Sequence, residues 1–485
     1  MSRGITMLLR NARVASRLVD VRVRQGVIVD IADAGQTASR DDDATIDLAG
    51  RWLGPGLWDN HVHFSQWALQ ASRLDVADAR SAAETARRIA DAMRPDVAGP
   101  FIAVGFRDAL WADAPNLVDL DAASTSPIVV VSGDLHSVWL NTAALEQFGH
   151  SGHPTGLLRE DDAFRVTGLI DTGAEDLLDG WADAAARAAA ARGVVGIVDY
   201  EMAWNLDTWT RRQAAGADAL RVEFGVYAEH LDRAIELGLR SGDRVGDLLT
   251  MGNLKILIDG SLNTRTAYCY DEFPGIEGEE GSRGLLTVSP ARLVSLLRAA
   301  ADAGIESSVH AIGDHANTIA LDAFAEAHVG GRIEHAQLVS DSDLPRFAEL
   351  GVAASVQPDH AVDDRDVADR YWAGHTGRAF PLQSLIAAGA TLLFGSDAPV
   401  SRLDPWATMA SAIARTRDGR EPWHPEQAVD VAQAIAASSR TTVSVGQPAD
   451  LVVTDLDPYT ATPAELRLMP VAATLVAGRF THRSL

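Results

Sequence analysis

Eight short apolar runs, each followed by a stretch of helical composition, constrain this chain more than any other feature. They are Leu57 to Phe64, Val194 to Glu201, Arg221 to Val226, Leu254 to Gly260, Ser307 to Ile312, Arg332 to Ala336, Val352 to Gln357, and Thr391 to Ser396. Near-continuous apolar strands are buried on both faces, and strands alternating with helices form parallel βα units. Eight such units predict an α/β fold, a TIM-like (β/α)8 barrel. Roughly 130 residues separate the first run from the second, against a few for an ordinary βα connection. An insertion over residues 65–190 is therefore expected, with its own strand-like runs at Phe101 to Gly105 and Ile128 to Ser132. It is expected to fold as a subdomain capping the barrel mouth.

The two ends share a different texture. Short β-rich runs separated by turn residues open the chain, as in Val19 to Val23 and Gly26 to Ile31, and others close it at Ala449 to Thr454 and Ala472 to Arg479. Neither end has enough strands for a stable sheet. Residues 1–53 and 440–485 are therefore expected to combine in a small β-sandwich domain, leaving 54–439 for the barrel.

A formal net charge of −25 argues against a nucleic-acid or anionic-membrane partner, because most of the surface would repel either. The single cysteine, Cys269, makes no internal disulfide. No segment reaches the roughly 18 uncharged apolar residues of a membrane span, and the first ten residues lack a leader-like pattern. A cytoplasmic protein acting on a small molecule is the expectation.

Among 42 lysines and arginines, Lys255 is the only lysine, and it sits in the apolar run Leu254-Lys255-Ile256-Leu257-Ile258. Arginine stays protonated, whereas a buried lysine shifts its pKa readily. A neutral amine takes up carbon dioxide to form a carbamate, an anionic oxygen ligand for a divalent metal. The plainer alternative is an ammonium paired with a neighbouring carboxylate such as Asp259.

The other polar residues on the strands favour the metal. His61 and His63 are two apart and share one side of the first strand. Lys255 lies on the fourth, His310 near the end of the fifth, His335 on the sixth, and Asp397 just beyond the eighth. Most sit at or near carboxyl ends, where barrel enzymes place their chemistry. Six ligand-type side chains are thus expected to converge at one mouth.

The motifs carrying these residues are Pro55-Gly56-Leu57-Trp58-Asp59-Asn60-His61-Val62-His63, Gly133-Asp134-Leu135-His136-Ser137-Val138-Trp139-Leu140-Asn141, and Leu254-Lys255 through Asp259-Gly260-Ser261-Leu262. They continue with His310-Ala311-Ile312-Gly313-Asp314, Arg332-Ile333-Glu334-His335-Ala336-Gln337, Ser355-Val356-Gln357-Pro358-Asp359-His360, and Gly395-Ser396-Asp397-Ala398-Pro399. In this set and order the chain resembles the amidohydrolase superfamily, and more closely its amidohydrolase-3, YtcJ-like branch, which includes N-substituted formamide deformylase. It departs from the branch pattern at Trp58, Asn263 and His315, none of them a ligand.

The resemblance implies metal-ligand roles for His61, His63, carbamylated Lys255, His310, His335 and Asp397. These donors suit zinc, with manganese, iron or cobalt as alternatives, as one ion or as two bridged by the carbamate. Metal-bound hydroxide would attack a linear amide of N-acyl or N-formyl amine type. Asp397 would act as general base and pass the proton to the leaving amine. His136 would help to polarise the carbonyl, provided the insertion folds over the mouth. Trp139, Asn141, Gln337 and His360 are further substrate-pocket candidates; Asp314, Arg265 and Asp134 are expected to fix loops. Trp67, Trp111, Trp204 and Trp372, in stretches flanking the mouth, would suit an apolar substrate group. A deaminase, a cyclic amide or ester hydrolase, and a non-catalytic scaffold are the alternatives, and the resemblance suggests a homodimer.

Overall fold

In the eight-stranded parallel sheet, the strands follow one another around a barrel in chain order: Leu57–Val62, Val194–Asp199, Arg221–Tyr227, Leu249–Leu257, Ser307–Ala311, Gly331–His335, Val352–Val356 and Leu392–Phe394. The computed structural model describes residues 6–38, 43–70, 73–93, 99–170 and 175–485. Each expected apolar run overlaps one of these strands, the fourth strand starting five residues earlier than its run. The first and second are buried at every position, as a sheet covered on both faces requires.

The outer helices supply the cover. Helix Pro290–Asp302 starts at a Ser289 cap with proline in its first turn, and it buries Leu293, Val294, Leu296, Leu297 and Ala300. That spacing is the apolar stripe of an amphipathic helix.

The barrel closes at the ends of its first and last strands. Asp397 N donates to His61 O at 2.8 Å, and His63 N donates to Ala398 O at 2.8 Å. Gly395 permits this approach, since a Cβ there would lie 2.7 Å from His61 N. The seam that completes the barrel therefore also brings two histidines and an aspartate together.

The ends of the chain build one eight-stranded sheet. Leu451–Thr454 pairs antiparallel with Trp52–Pro55, which adjoins Thr6–Val14. Its apolar cluster draws on both termini, with Leu9, Val21 and Leu53 against Leu451, Val453 and Leu475.

Between the first two barrel strands the chain forms a third sheet, in the order Leu157–Arg159, Ser137–Leu140, Ile128–Ser132, Phe101–Phe106, Leu74–Asp75. Both faces are covered. Ile128, Val130 and Trp139 pack toward helix Ala82–Ala92, whereas Val129, Val131 and Val138 pack with Leu145 and Val166 on the other side. The alternation is the period-two signature of a strand.

Candidate metal centre

A layer of buried hydrogen bonds inside the barrel fixes the first histidine. Tyr200 Oη lies 2.7 Å from Ser308 Oγ and donates to Glu334 Oε1 at 3.2 Å, while Glu334 Oε2 is 2.8 Å from His61 Nδ1. With Nδ1–H donated to this carboxylate, His61 keeps the lone pair on Nε2. A carboxylate behind an imidazole fixes both its tautomer and its ring plane. His310 is held the same way, its Nδ1 3.1 Å from Asp259 Oδ1.

Lys255 is 2% exposed, and its Nζ lies 3.0 Å from His61 Nε2 and 4.4 Å from the centre of the Tyr200 ring. The pairing with Asp259 considered from sequence does not form. Asp259 is occupied by His310 and by the backbone N–H groups of Tyr268, Ile312 and Gly313. Burial brings the Lys255 pKa down to about 8, against the opposing pull of Glu334 and Asp397.

Asp397 occupies the centre. One carboxylate oxygen lies 3.5 Å from His61 Nε2 and 3.4 Å from His63 Nε2, and the other lies 3.9 Å from His360 Nε2. Burial works against its charge, but the surrounding imidazoles, His61 foremost, outweigh burial and keep its pKa well below the usual carboxylate range. Burial lowers the pKa of His61 to about 4, assisted by Lys255, and that of His335 well below its ordinary value. The two rings are therefore neutral near pH 7, the state in which imidazole binds metal. His335 stands 4.5 Å from His310 and 5.0 Å from His61 between ring centroids.

Backbone conformation at this cluster is unusual. His335 has φ 75° and Asp397 φ 56°, in the left-handed region that side chains other than glycine rarely adopt. Strain of this kind, about 1–3 kcal/mol per residue, persists where the surrounding structure over-determines it, and it clusters at functional sites.

All six expected ligands line one cavity of about 520 Å3. Among the described residues, His61, His63 and Asp397 form one group whose ligand atoms lie within 4.8 Å of one another, and His335, His360 and Asp397 form a second. His63 Nδ1, His335 Nδ1, His360 Nε2 and Asp397 Oδ1 are buried without a hydrogen-bond partner. Unsatisfied buried groups are costly and uncommon. A concentration of them on imidazoles around one carboxylate fits a divalent cation of the zinc type.

The insertion reaches this cavity. His136 lines it, its ring 6.1 Å from that of His310. Its Nδ1 is 2.9 Å from Glu160 Oε2, and Glu160 Oε1 accepts from Thr266 Oγ1 at 2.7 Å and Thr264 Oγ1 at 3.2 Å. Gly260 is needed at this joint, because a Cβ there would meet Thr266 Oγ1 at 2.0 Å. Burial disfavours the His136 imidazolium, but the charge of Glu160, with a further contribution from Asp134, prevails and lifts its pKa to about 9. Asp134 joins the same seam by accepting from Ser261 Oγ at 2.9 Å.

Gln337 and His360 both line the cavity, as expected. Trp139 and Asn141 do not. Trp139 is fully buried in the insertion core and donates from Nε1 to Asn116 O. Asn141 caps helix Thr142–Gln147 through Ala144 N, accepts from Ile128 N and donates to Ser124 O and Ser126 O. Trp67, Trp111, Trp204 and Trp372 are likewise absent from the lining, whose apolar part includes Leu69, Phe164, Met202, Leu262 and Val400. Of the departures from the branch pattern, Trp58 fits because Gly196 lies against its ring, His315 stacks between Tyr268 and Tyr270, and Asn263 lines the cavity. Glu334, Tyr200 and Glu160 were not singled out from the sequence. A charged residue directly before His335 in a buried strand was the one available signal.

Residues 44–482 match the model of the amidohydrolase family. The chain belongs to the amidohydrolase family. YtcJ of Bacillus subtilis is 25% identical over 90% of this chain and 90% of its own. N-substituted formamide deformylase of Arthrobacter pascens is 26% identical over 97% of each chain. An uncharacterized metal-dependent hydrolase of Pyrococcus horikoshii OT3 superposes with a TM-score of 0.78 at 22% identity, covering 95% of this chain and 99% of its own. This amidohydrolase is thus similar along most of its length to YtcJ and to the deformylase, and it shares its fold with the Pyrococcus protein. Among its described residues, no helix is long and apolar enough to cross a membrane.

Proposed function

We propose that the chain hydrolyses a linear amide of the N-acyl or N-formyl amine type, using one or two divalent ions, zinc by preference, held by His61, His63, Lys255, His310, His335 and Asp397. The observation that carries this reading is the position of Asp397, with three imidazole nitrogens 3.4–3.9 Å from its carboxylate oxygens. A divalent cation supplies Lewis-acid activation of water and of the amide carbonyl. Carbamylation of Lys255 follows from the same chemistry, since a pKa near 8 leaves a usable fraction of nucleophilic amine at neutral pH.

The remaining steps belong to the side chains. Asp397, ionised, accepts the proton of the attacking water and delivers it to the leaving nitrogen, so that the amine departs neutral. His136, charged and held by Glu160, donates its Nε2–H toward the oxygen that gains negative charge during attack. The apolar wall, with Leu69, Phe164 and Met202, excludes water and receives the substituent on nitrogen. The relative named as an N-substituted formamide deformylase supports the bond type. The test is a hydrolysis screen of N-formyl, N-acetyl and longer N-acyl amines with metal-replete protein. Turnover that disappears on chelation is expected; turnover confined to esters or to exocyclic amines of heterocycles would contradict the proposal.

A further inference from the structure

One cation on the cavity wall stands apart from the imidazoles. Arg212, on helix Asn205–Ala214, lines the cavity that holds Asp397, although the residue is only 3% exposed. Its Nη1 is buried and has no hydrogen-bond partner. A buried guanidinium with an open nitrogen is costly unless an acceptor meets it.

The rest of the guanidinium is held in place. Arg212 Nε donates to Asp179 Oδ1 at 2.9 Å, Nη2 donates to Ser65 Oγ at 2.9 Å, and Cζ stands 4.9 Å from the centre of the Trp209 ring. Asp179 is shared with Arg211, whose Nε and Nη2 donate to the same carboxylate at 2.7 and 3.1 Å. Glu201, a further carboxylate on the cavity, accepts instead from the backbone N and Nε2 of Gln66, both at 2.9 Å. Nη1 is therefore the nitrogen left for a ligand, presented by a side chain that is already fixed.

Its position gives a direction. Ser65 lies two residues beyond His63, a Cα separation of at most about 7 Å, so Arg212 stands on the side of the first barrel strand. The strands follow in chain order around the barrel, which sets the first and the fifth across the mouth from each other. His136 stands by the fifth, its ring 6.1 Å from that of His310. An amide with its carbonyl oxygen toward His136 and its carbon at Asp397 extends the substituent on nitrogen toward Arg212, along Leu69.

We infer that the substrate is an N-acyl amino acid whose carboxylate is bound by Arg212, the residue that sets specificity for the amine side. A carboxylate fits better than a neutral acceptor because hydrogen bonds between ionised partners are about twice as strong. A phosphate dianion would call for more open donors than the one nitrogen offers. The acid is separated from the scissile nitrogen by a short chain of about two to five carbons. Water adds across the C–N bond; the acyl group leaves as a carboxylate, and the nitrogen leaves protonated, as the ammonium of a free amino acid. This inference deepens the hydrolytic reading above and rests on it.

The test uses the metal-replete full chain and N-acetyl derivatives of straight-chain amino acids in that range of lengths, each against the carboxamide of the same length. For the best acid, kcat/KM is expected to exceed that of its carboxamide by about 10- to 100-fold, chiefly through KM. Arg212→Met should bring the acid down to the level of the carboxamide with bound metal unchanged. Equal kcat/KM for acid and carboxamide in wild type would overturn the inference and leave amide hydrolysis standing. So would a preference for isomers that carry the carboxylate on the acyl side, or an Arg212→Met protein that still discriminates. Turnover of neither series would sink the amide reading as well. Should Arg212→Met fail to fold, Arg212→Lys decides: the preference should fall at least about threefold, and an unchanged preference overturns the inference.

Discussion

The barrel rim and the insertion both contribute histidines to one cavity, yet the two regions hold them in opposite states. On the barrel, burial depresses the pKa of His61 to about 4 and that of His335 well below its ordinary value. On the insertion, Glu160 and Asp134 overcome burial and raise that of His136 to about 9. At neutral pH the barrel therefore offers lone pairs and the insertion offers a charged N–H. The carboxylate behind His61 does not reverse its state, because burial, assisted by Lys255 on the opposite ring nitrogen, outweighs it; His136 has no such cation among its named contacts. One residue type is thus held in two states, a neutral ring suited to metal ligation and a charged ring suited to oxyanion stabilisation, set by what surrounds each ring.

The contrast can be broken most severely at Asp397. Asp397→Asn removes the proton acceptor and one ligand charge, so kcat should fall by about 10^3-fold or more, while circular dichroism and melting behaviour stay near wild type. Retained turnover would mean that another group carries the proton. Lys255→Ala should lower both metal content and activity by about 10- to 100-fold, with partial recovery on adding short-chain carboxylates. Unchanged metal would remove the carbamate. Because the Lys255 pKa lies near 8, the neutral amine is scarce below that pH and plentiful above it. At a fixed concentration of dissolved CO2, reactivation of stripped enzyme by added metal should therefore be about 25-fold faster at pH 8.5 than at pH 6.5, as followed by activity recovery.

A smaller effect is expected on the insertion side. His136 has a folded pKa above its ordinary value, so the stabilisation from its charge is fully present below about pH 6.5 and is lost as pH rises through about 9. Activity that depends on the imidazolium should fall on the same alkaline limb. Glu160→Gln removes the main source of the raised pKa, moves that limb to lower pH and lowers kcat about 10-fold without changing bound metal. A pH profile identical to wild type would separate Glu160 from catalysis. Smallest of all, Asn141→Ala should cost about 1 kcal/mol of stability through the lost helix cap, read by denaturant unfolding, and leave KM unaltered. A changed KM would return Asn141 to the pocket.

The barrel was legible because its strands are unbroken apolar runs, and the six ligand candidates because polar side chains in or beside such runs demand a reason. His136 was legible only through the motif around it, and its arrival at the cavity depended on the fold of the insertion. What stayed hidden lay in pairings across long stretches of chain. Glu334 meets His61 across 273 positions, and Glu160 meets Thr266 across 106; no local pattern records either. Period-two alternation gives the face of a strand but not what covers it. Trp139 shares a motif with His136, which makes it a pocket candidate as well as a core one; it is sealed in the core under helix Ala82–Ala92. Lys255 and Asp259 lie four residues apart, which makes a pairing plausible on sequence, but the two face different partners, His61 and His310.

The central claim is that the buried imidazoles around Asp397 are a metal centre. The most direct measurement is an anomalous-difference map from crystals of the full chain grown with zinc, recorded on both sides of the zinc edge. The account predicts a peak bounded by His61, His63 and Asp397, with donor atoms at about 2.0–2.2 Å. A map without a peak there, with the imidazoles hydrogen-bonded to one another and to water, would contradict it.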